Sequence, residues 1–274
     1  MKTRLISAGI AAAIAIGIMI ASEFIPWVIL PAICVIACMM EFEFLTAKNF
    51  HKDWLILILS LLFVVSSVLV STTGFWFVPM YVFTVVLMFA QILRHEKHSI
   101  TDILFVYAGT IFIGLSLLCL ARLVCVQWNF TSFFVCVALV PPWFADSAAY
   151  FVGSAMGKHK LCPAISPKKT VEGAVGGAIA SVVGSQLLGL VYQFIFYHNV
   201  IINYPALLLI GMFSAVVSVM GDLTFSLIKR ECKIKDYGSI MPGHGGMLDR
   251  FDSVVFTVPF ALFISHTMGL IWQF

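Results

Sequence analysis

Charge is scarce in this chain. Only 11% of its 274 residues are Asp, Glu, Lys or Arg, whereas 61% are hydrophobic, and the mean hydropathy is +1.05. A water-exposed domain carries about 25% charged residues, so the composition excludes a soluble globular protein. The net charge of +3 is too small to suggest a nucleic-acid partner. None of the seven cysteines forms a C-x-x-C pair, so neither a zinc site nor a disulfide framework is indicated. No low-complexity tract and no repeat of 20–50 residues is present.

What remains is a series of long apolar runs. A bilayer core needs about 20 apolar residues per helix. Windows of that kind fall near 5–22, 25–40, 54–71, 75–93, 103–121, 132–152, 174–197, 204–228 and 253–271. The expected fold class is therefore an all-α polytopic integral membrane protein with about nine transmembrane helices. The second window is short and holds Pro26 and Pro31. The first follows Lys2 and Arg4 and lacks a clean A-x-A site after it, so it reads as a retained helix rather than a signal peptide.

With the N-terminus in the cytoplasm, fifteen of the 16 cations fall on the cytoplasmic side and only Arg122 on the other. Segments 153–173 and 229–252 then share the cytoplasmic face, where nucleotides and anionic lipid headgroups meet. By these windows the first four spans hold no charge after Arg4 except Glu23. The chain is expected to divide into a transmembrane scaffold, 1–130, and a catalytic region, 131–274, with a polar cavity opening to the cytoplasm.

Two acids interrupt apolar helices in that second region: Asp146 after PPWFA, and Asp222 after VVSVMG. Each is expected six or seven residues from a cytoplasmic helix end. An ionisable group inside a span is costly and marks a functional candidate; packing or a hydrogen bond to a nearby Ser is the simpler alternative. Pro141 and Pro142 precede Asp146 and either open a cavity or kink the helix. Asp222, Ser226, Lys229 and Lys233 are spaced as one helical stripe. Asp249 and Asp252, three apart, either share a hard cation or cap the ninth helix. The glycines of PGHGG, including Gly245 and Gly246, permit close approach of N–H groups to an anion, and His244 is either a phosphate donor or a loop hydrogen-bonder. Upstream, Ser166-Pro167 reads as a helix start, which would place Lys168, Lys169 and Thr170 in an anion-favouring first turn. A polybasic surface patch is the alternative there, and Glu172 has a lysine as its candidate partner.

The stretch from Ser226 to Asp252, SLIKRECKIKDYGSIMPGHGGMLDRFD, closely resembles the signature of the phosphatidate cytidylyltransferase family, the CDP-diacylglycerol synthases, departing only at Met241. SPKKTVEG, from Ser166 to Gly173, and FADSAAY around Asp146 are similar to further family segments. The resemblance implies transfer of the cytidylyl group of CTP to phosphatidic acid, with pyrophosphate released. It implies Mg2+, with a second cation suggested by the family, and a homodimer in the bacterial inner membrane. On this basis Asp222 and Asp249 are expected to hold the metal and Asp146 and Asp252 to support it. Lys229, Arg230, Lys235, His244 and Arg250 would handle the reacting phosphates, Asp236 is a further catalytic candidate, and Ser166, Lys168, Lys169, Thr170, Ser226, Gly245 and Gly246 would bind substrate. A CTP-dependent polyprenol kinase, an ether-lipid synthase and an ion-coupled transporter are the rival classes. A CDP-alcohol phosphotransferase would carry DGxxAR, which is absent.

Overall fold

In the computed structural model the described residues are 2–197, 199–238 and 245–273, with side chains described at 9, 10 and from 12 onward. Among them are nine α-helices: α1 (Lys2–Phe24), α2 (Ile29–Ala47), α3 (Trp54–Leu69), α4 (Val78–Leu93), α5 (Ile100–Val124), α6 (Thr131–Met156), α7 (Val171–Val191), α8 (Tyr204–Glu231) and α9 (Leu248–Met268). Seven of these segments are long and apolar enough to cross a membrane; α4, at 16 residues, and the Ala12–Phe24 part of α1 are shorter. Two antiparallel ribbons qualify the all-α expectation. Strand β1 (Lys160–Cys162) pairs with β2 (Ser166–Thr170), and β3 (Val200–Ile202) pairs with β4 (Ile271–Gln273).

The chain forms two compact units: Met1–Asn129 with Cys232–Arg250, and Phe130–Glu231 with Phe251–Phe274. In the first, α2, α3 and α5 pack around Met40, Phe44, Phe63 and Ile113. The Phe44 ring lies against Gly109 and the Phe63 ring against Gly114, where any Cβ would collide with it. Asp53 caps α3 through the Leu55 N–H and gathers Arg94, Lys97 and His98 at 3.0, 2.6 and 3.0 Å. Outward faces stay apolar, as at Ile58, Tyr81 and Phe89, which suits contact with lipid.

The second unit is built on α6, α7 and α8. Glycines bring α7 onto α6: a Cβ at Gly173 or Gly177 would stand 2.6 Å from the carbonyl oxygen of Ala149 or Ala145. This is the small-residue packing that membrane helices use in place of hydrophobic burial. The β3–β4 ribbon and Asn203, whose side-chain amide donates to the Met268 and Gly269 carbonyls, tie the start of α8 to the end of α9.

The structure corrects several boundaries expected from sequence. Ser166–Thr170 is a strand, not the first turn of a helix: α7 begins at Val171, and the Thr170 hydroxyl caps it by accepting the Gly173 N–H. The extended backbone favoured before proline suits Ser166 to a strand. Helix α8 ends at Glu231, and Lys233 beyond it has a left-handed backbone, φ 56°, so the polar stripe stops at Lys229. Helices α6 and α8 also run further than their apolar windows. Asp146 lies ten residues before Met156 and Asp222 nine before Glu231, roughly 15 and 13 Å along the axis. Both acids lie further from their helix ends than expected, by similar distances. Finally, α2 continues to Ala47 and carries Glu41 and Glu43, both buried, so the second span is not free of charge. Glu172 pairs with His159, not with a lysine: it accepts from the His159 and Lys158 N–H groups, and His159 Nδ1 lies 2.6 Å from its Oε1.

Candidate active site

Two acids of the second unit meet around the Ser253 hydroxyl, and a third, Asp222, lies in electrostatic reach of both. Ser253 Oγ donates to Asp146 Oδ2 at 2.5 Å, and Asp252 Oδ1 lies 3.3 Å from the same oxygen. Asp252 Oδ1 also accepts the Ser253 backbone N–H at 2.7 Å. Asp252 is 7% exposed and in electrostatic reach of Asp146, Asp222 and Lys229. Asp222 Oδ1 accepts from Ser226 Oγ, one turn further along α8, and its Oδ2 forms a 2.6 Å ion pair with Lys169 Nζ. Helix α9 can lie this close to α8 because position 221 is glycine: a Cβ there would meet the Asp252 carbonyl oxygen at 2.8 Å.

The neighbouring lysines divide by strand alternation. Successive side chains of a strand point to opposite faces. Lys169 is thus half-buried and reaches Asp222, whereas Lys168 on the other face is exposed. Three carboxylates so close together repel one another unless cations offset them; Lys169 and Lys229 supply that charge within the unit.

The first unit holds the other half of the motif. Asp249 Oδ2 accepts from the Tyr237 and Gly246 N–H groups at 2.9 and 3.0 Å. The acid is three residues downstream of the Gly246 N–H and reaches back to it, as in a helix-capping box. Gly245 has φ +87°, a backbone that side chains rarely adopt, and a Cβ there would press on Asp249 Oδ2. Lys235, Asp236 and Arg250 are exposed. His244 lies outside the described residues.

The structure thus brings together Asp146, Asp222, Asp252, Ser226, Lys169 and Lys229 in one unit, and Asp249, Gly245 and Gly246 in the other. Thr170 serves as a helix cap, Ser166 sits on β2, and Arg230 is exposed near the end of α8. Sequence reasoning missed two residues. Ser253 directly follows the last motif acid, a position that alone could have drawn attention to it. Glu43 lies in α2, just beyond the apolar window drawn for that span.

A family model described as the Cytidylyltransferase family matches residues 2–268. The chain belongs to that family. Members similar to it include proteins named phosphatidate cytidylyltransferase. One from Bacillus subtilis (strain 168) is 48% identical over 132 residues, 48% of this chain and 46% of the relative. Another, from Staphylococcus haemolyticus, is 41% identical over 126 residues, 46% of each chain. A third, from Haemophilus influenzae, is 44% identical over 124 residues, 43% of this chain and 40% of the relative. The chain spans about half the length of the curated relatives it matches.

Proposed function

We propose that this cytidylyltransferase-family chain transfers the cytidylyl group of CTP to phosphatidic acid, giving CDP-diacylglycerol and pyrophosphate. The observation that carries the reading is the meeting of Asp222 and Asp252, both inside the long motif, with Asp146 and Lys169 from two other family-like segments. The lipid phosphate oxygen bonds to the α-phosphorus as the bond from that phosphorus to the pyrophosphate oxygen breaks. A phosphate monoester is already anionic near neutral pH, so no general base is needed. The work is positioning and charge neutralisation.

The donors of the second unit's cluster are hard carboxylate oxygens, the chemistry that Mg2+ takes, and Lys169 already places a cation on Asp222. Among the described residues no three His, Cys, Asp or Glu side chains are drawn into one ligand shell. The cluster matches a hard cation by donor chemistry and charge alone, not by a closed ligand set. Asp222 would hold it with Asp146 and Asp252 in support, and Asp249 retains the metal role that the motif implies. Mg2+ bound there would offset charge on the attacking and leaving oxygens. Ser253 orients Asp146. Lys169 and Lys229 balance the acids, while the exposed Lys168 and Arg230 attract phosphate groups. The first unit's Lys235 and Arg250 take the same part.

The reading places the acids and the N-terminus on the cytoplasmic side of the bacterial inner membrane, in a homodimer. The test uses purified protein in detergent with phosphatidic acid and CTP. Label from the α-phosphate is expected in the lipid, with pyrophosphate released. Label entering from the γ-phosphate would make the chain a kinase instead.

A further inference from the structure

We infer that Glu43, on α2, is a positioning residue that holds residues 245–248 in register for Asp249. Helix α9 begins at Leu248, and the first N–H groups of any helix lack partners within it. Two N–H groups at this end donate to a side chain more than 200 residues away in sequence: Met247 N–H to Glu43 Oε1 at 3.0 Å, and Leu248 N–H to Oε2 at 2.8 Å. Each carboxylate oxygen takes one donor. The positive end of the helix dipole adds to the attraction. Glu43 is 2% exposed, and a buried carboxylate persists only where such partners meet it.

The same carboxylate lies against the backbone on both flanks of residues 239–244, at Gly238 and Gly246. A Cβ at Gly238 would collide with Glu43 Oε1, and one at Gly246 with Oε2. Glycine at these positions is thus a requirement of the Glu43 contact, not of backbone conformation, because neither position has a positive φ. Asp249 grips the same two flanks through the Tyr237 and Gly246 N–H groups. Two acids, one from α2 and one from α9, therefore clamp residues 237–238 and 245–248. Removing Glu43 releases the first turn of α9 and, with it, the direction of Asp249. Glu43 acts through Asp249 and has no place in the chemistry itself. The inference rests on the proposed function only in treating Asp249 as a working residue.

The experiment compares full-length wild type with Glu43→Gln and Glu43→Ala. Gln keeps the size but only one acceptor. Loss of one or both charge-assisted hydrogen bonds predicts a kcat lower by about tenfold in Gln and about a hundredfold in Ala, with the KM for CTP changed less than about threefold. Hydrogen–deuterium exchange of residues 245–249 should accelerate about tenfold or more in Ala, with α5 unchanged. Unchanged exchange in 245–249, or a kcat in Ala within about twofold of wild type, would overturn the inference. So would a rise in KM with kcat preserved, which would make Glu43 a substrate-binding group. Should the Ala protein fail to fold, Gln gives the same two readouts. Absence of CTP-dependent lipid product in wild type would sink the functional reading, while the exchange data would still decide the role of Glu43.

Discussion

Lys169 Nζ sits 2.6 Å from Asp222 Oδ2 and joins strand β2 to helix α8. The two side chains are 21% and 30% exposed. The pair is thus worth more than the ~1 kcal/mol of a surface ion pair and less than the ~3–5 kcal/mol lost when a fully buried pair is broken. Lys169→Met removes the cation paired with Asp222 and in electrostatic reach of Asp146. It is expected to lower thermal stability by a few degrees and turnover by more than about tenfold. Lys169→Arg should recover part of both. A Met variant with wild-type turnover at ordinary Mg2+ would remove Lys169 from the site. The check is a melting curve in detergent beside a pyrophosphate-release assay.

Ser253→Ala deletes the hydroxyl that donates to Asp146 and borders Asp252. A half-buried carboxylate losing its donor costs roughly 1–3 kcal/mol, so turnover should fall about 5- to 100-fold. Thr retains the hydroxyl and should retain most activity. Titrating Mg2+ separates the roles: an altered metal requirement in the Ala variant supports orientation of Asp146, whereas an unchanged requirement with full turnover argues against it.

The glycine seam between α6 and α7 gives a paired prediction. Gly177→Val must push a branched side chain into the Ala145 carbonyl oxygen, and overpacking costs roughly 1–3 kcal/mol. Gly74→Ala meets nothing within 4 Å and should be neutral. Fluorescence-detected size exclusion after a heat step compares the two; equal survival would mean the seam has slack.

Asp53 predicts an acid-side dependence. Burial disfavours its charged form, but hydrogen bonds from Lys97, His98 and the Leu55 N–H, with the Lys97 charge, outweigh that and hold the carboxyl well below its usual value of 3.8. A depressed pKa stabilises the folded state above the unfolded value, and the contribution fades as pH falls below it. Asp53→Asn should therefore be less stable than wild type near neutral pH, and the gap should narrow as pH drops below about 4. A gap independent of pH would mean the variant disturbs packing, not charge. Melting curves across that range provide the test.

The order of the helices was legible because apolar runs of roughly bilayer-core length recur along the chain, separated by short polar or turn-forming segments. The motif acids were legible because carboxylates within apolar helices are rare. Their company was less so. Periodicity shows which residues share one helix face, and so placed Ser226 with Asp222, but it cannot show that strand alternation turns Lys169 to the same acid. Glu41 and Glu43 were passed over because an apolar window stops at the first charge, whereas helix α2 runs on through both carboxylates to Ala47. The β2 strand was misread since Pro167 is compatible with both a helix start and an extended segment, and only the pairing with β1 and the Thr170 cap select the second.

The contact of Gly173 and Gly177 with carbonyl oxygens on α6 bears on how far this chain can vary. Asp146 follows Ala145 directly, so its distance from α7 is set by backbone against backbone. No rotamer there can swing aside to absorb an error. Most apolar side chains facing lipid can be exchanged among Leu, Ile, Val and Phe without moving that acid. A single added methyl group at the seam would move it, making two residues with no side chain a stricter gauge of the site than many that have one.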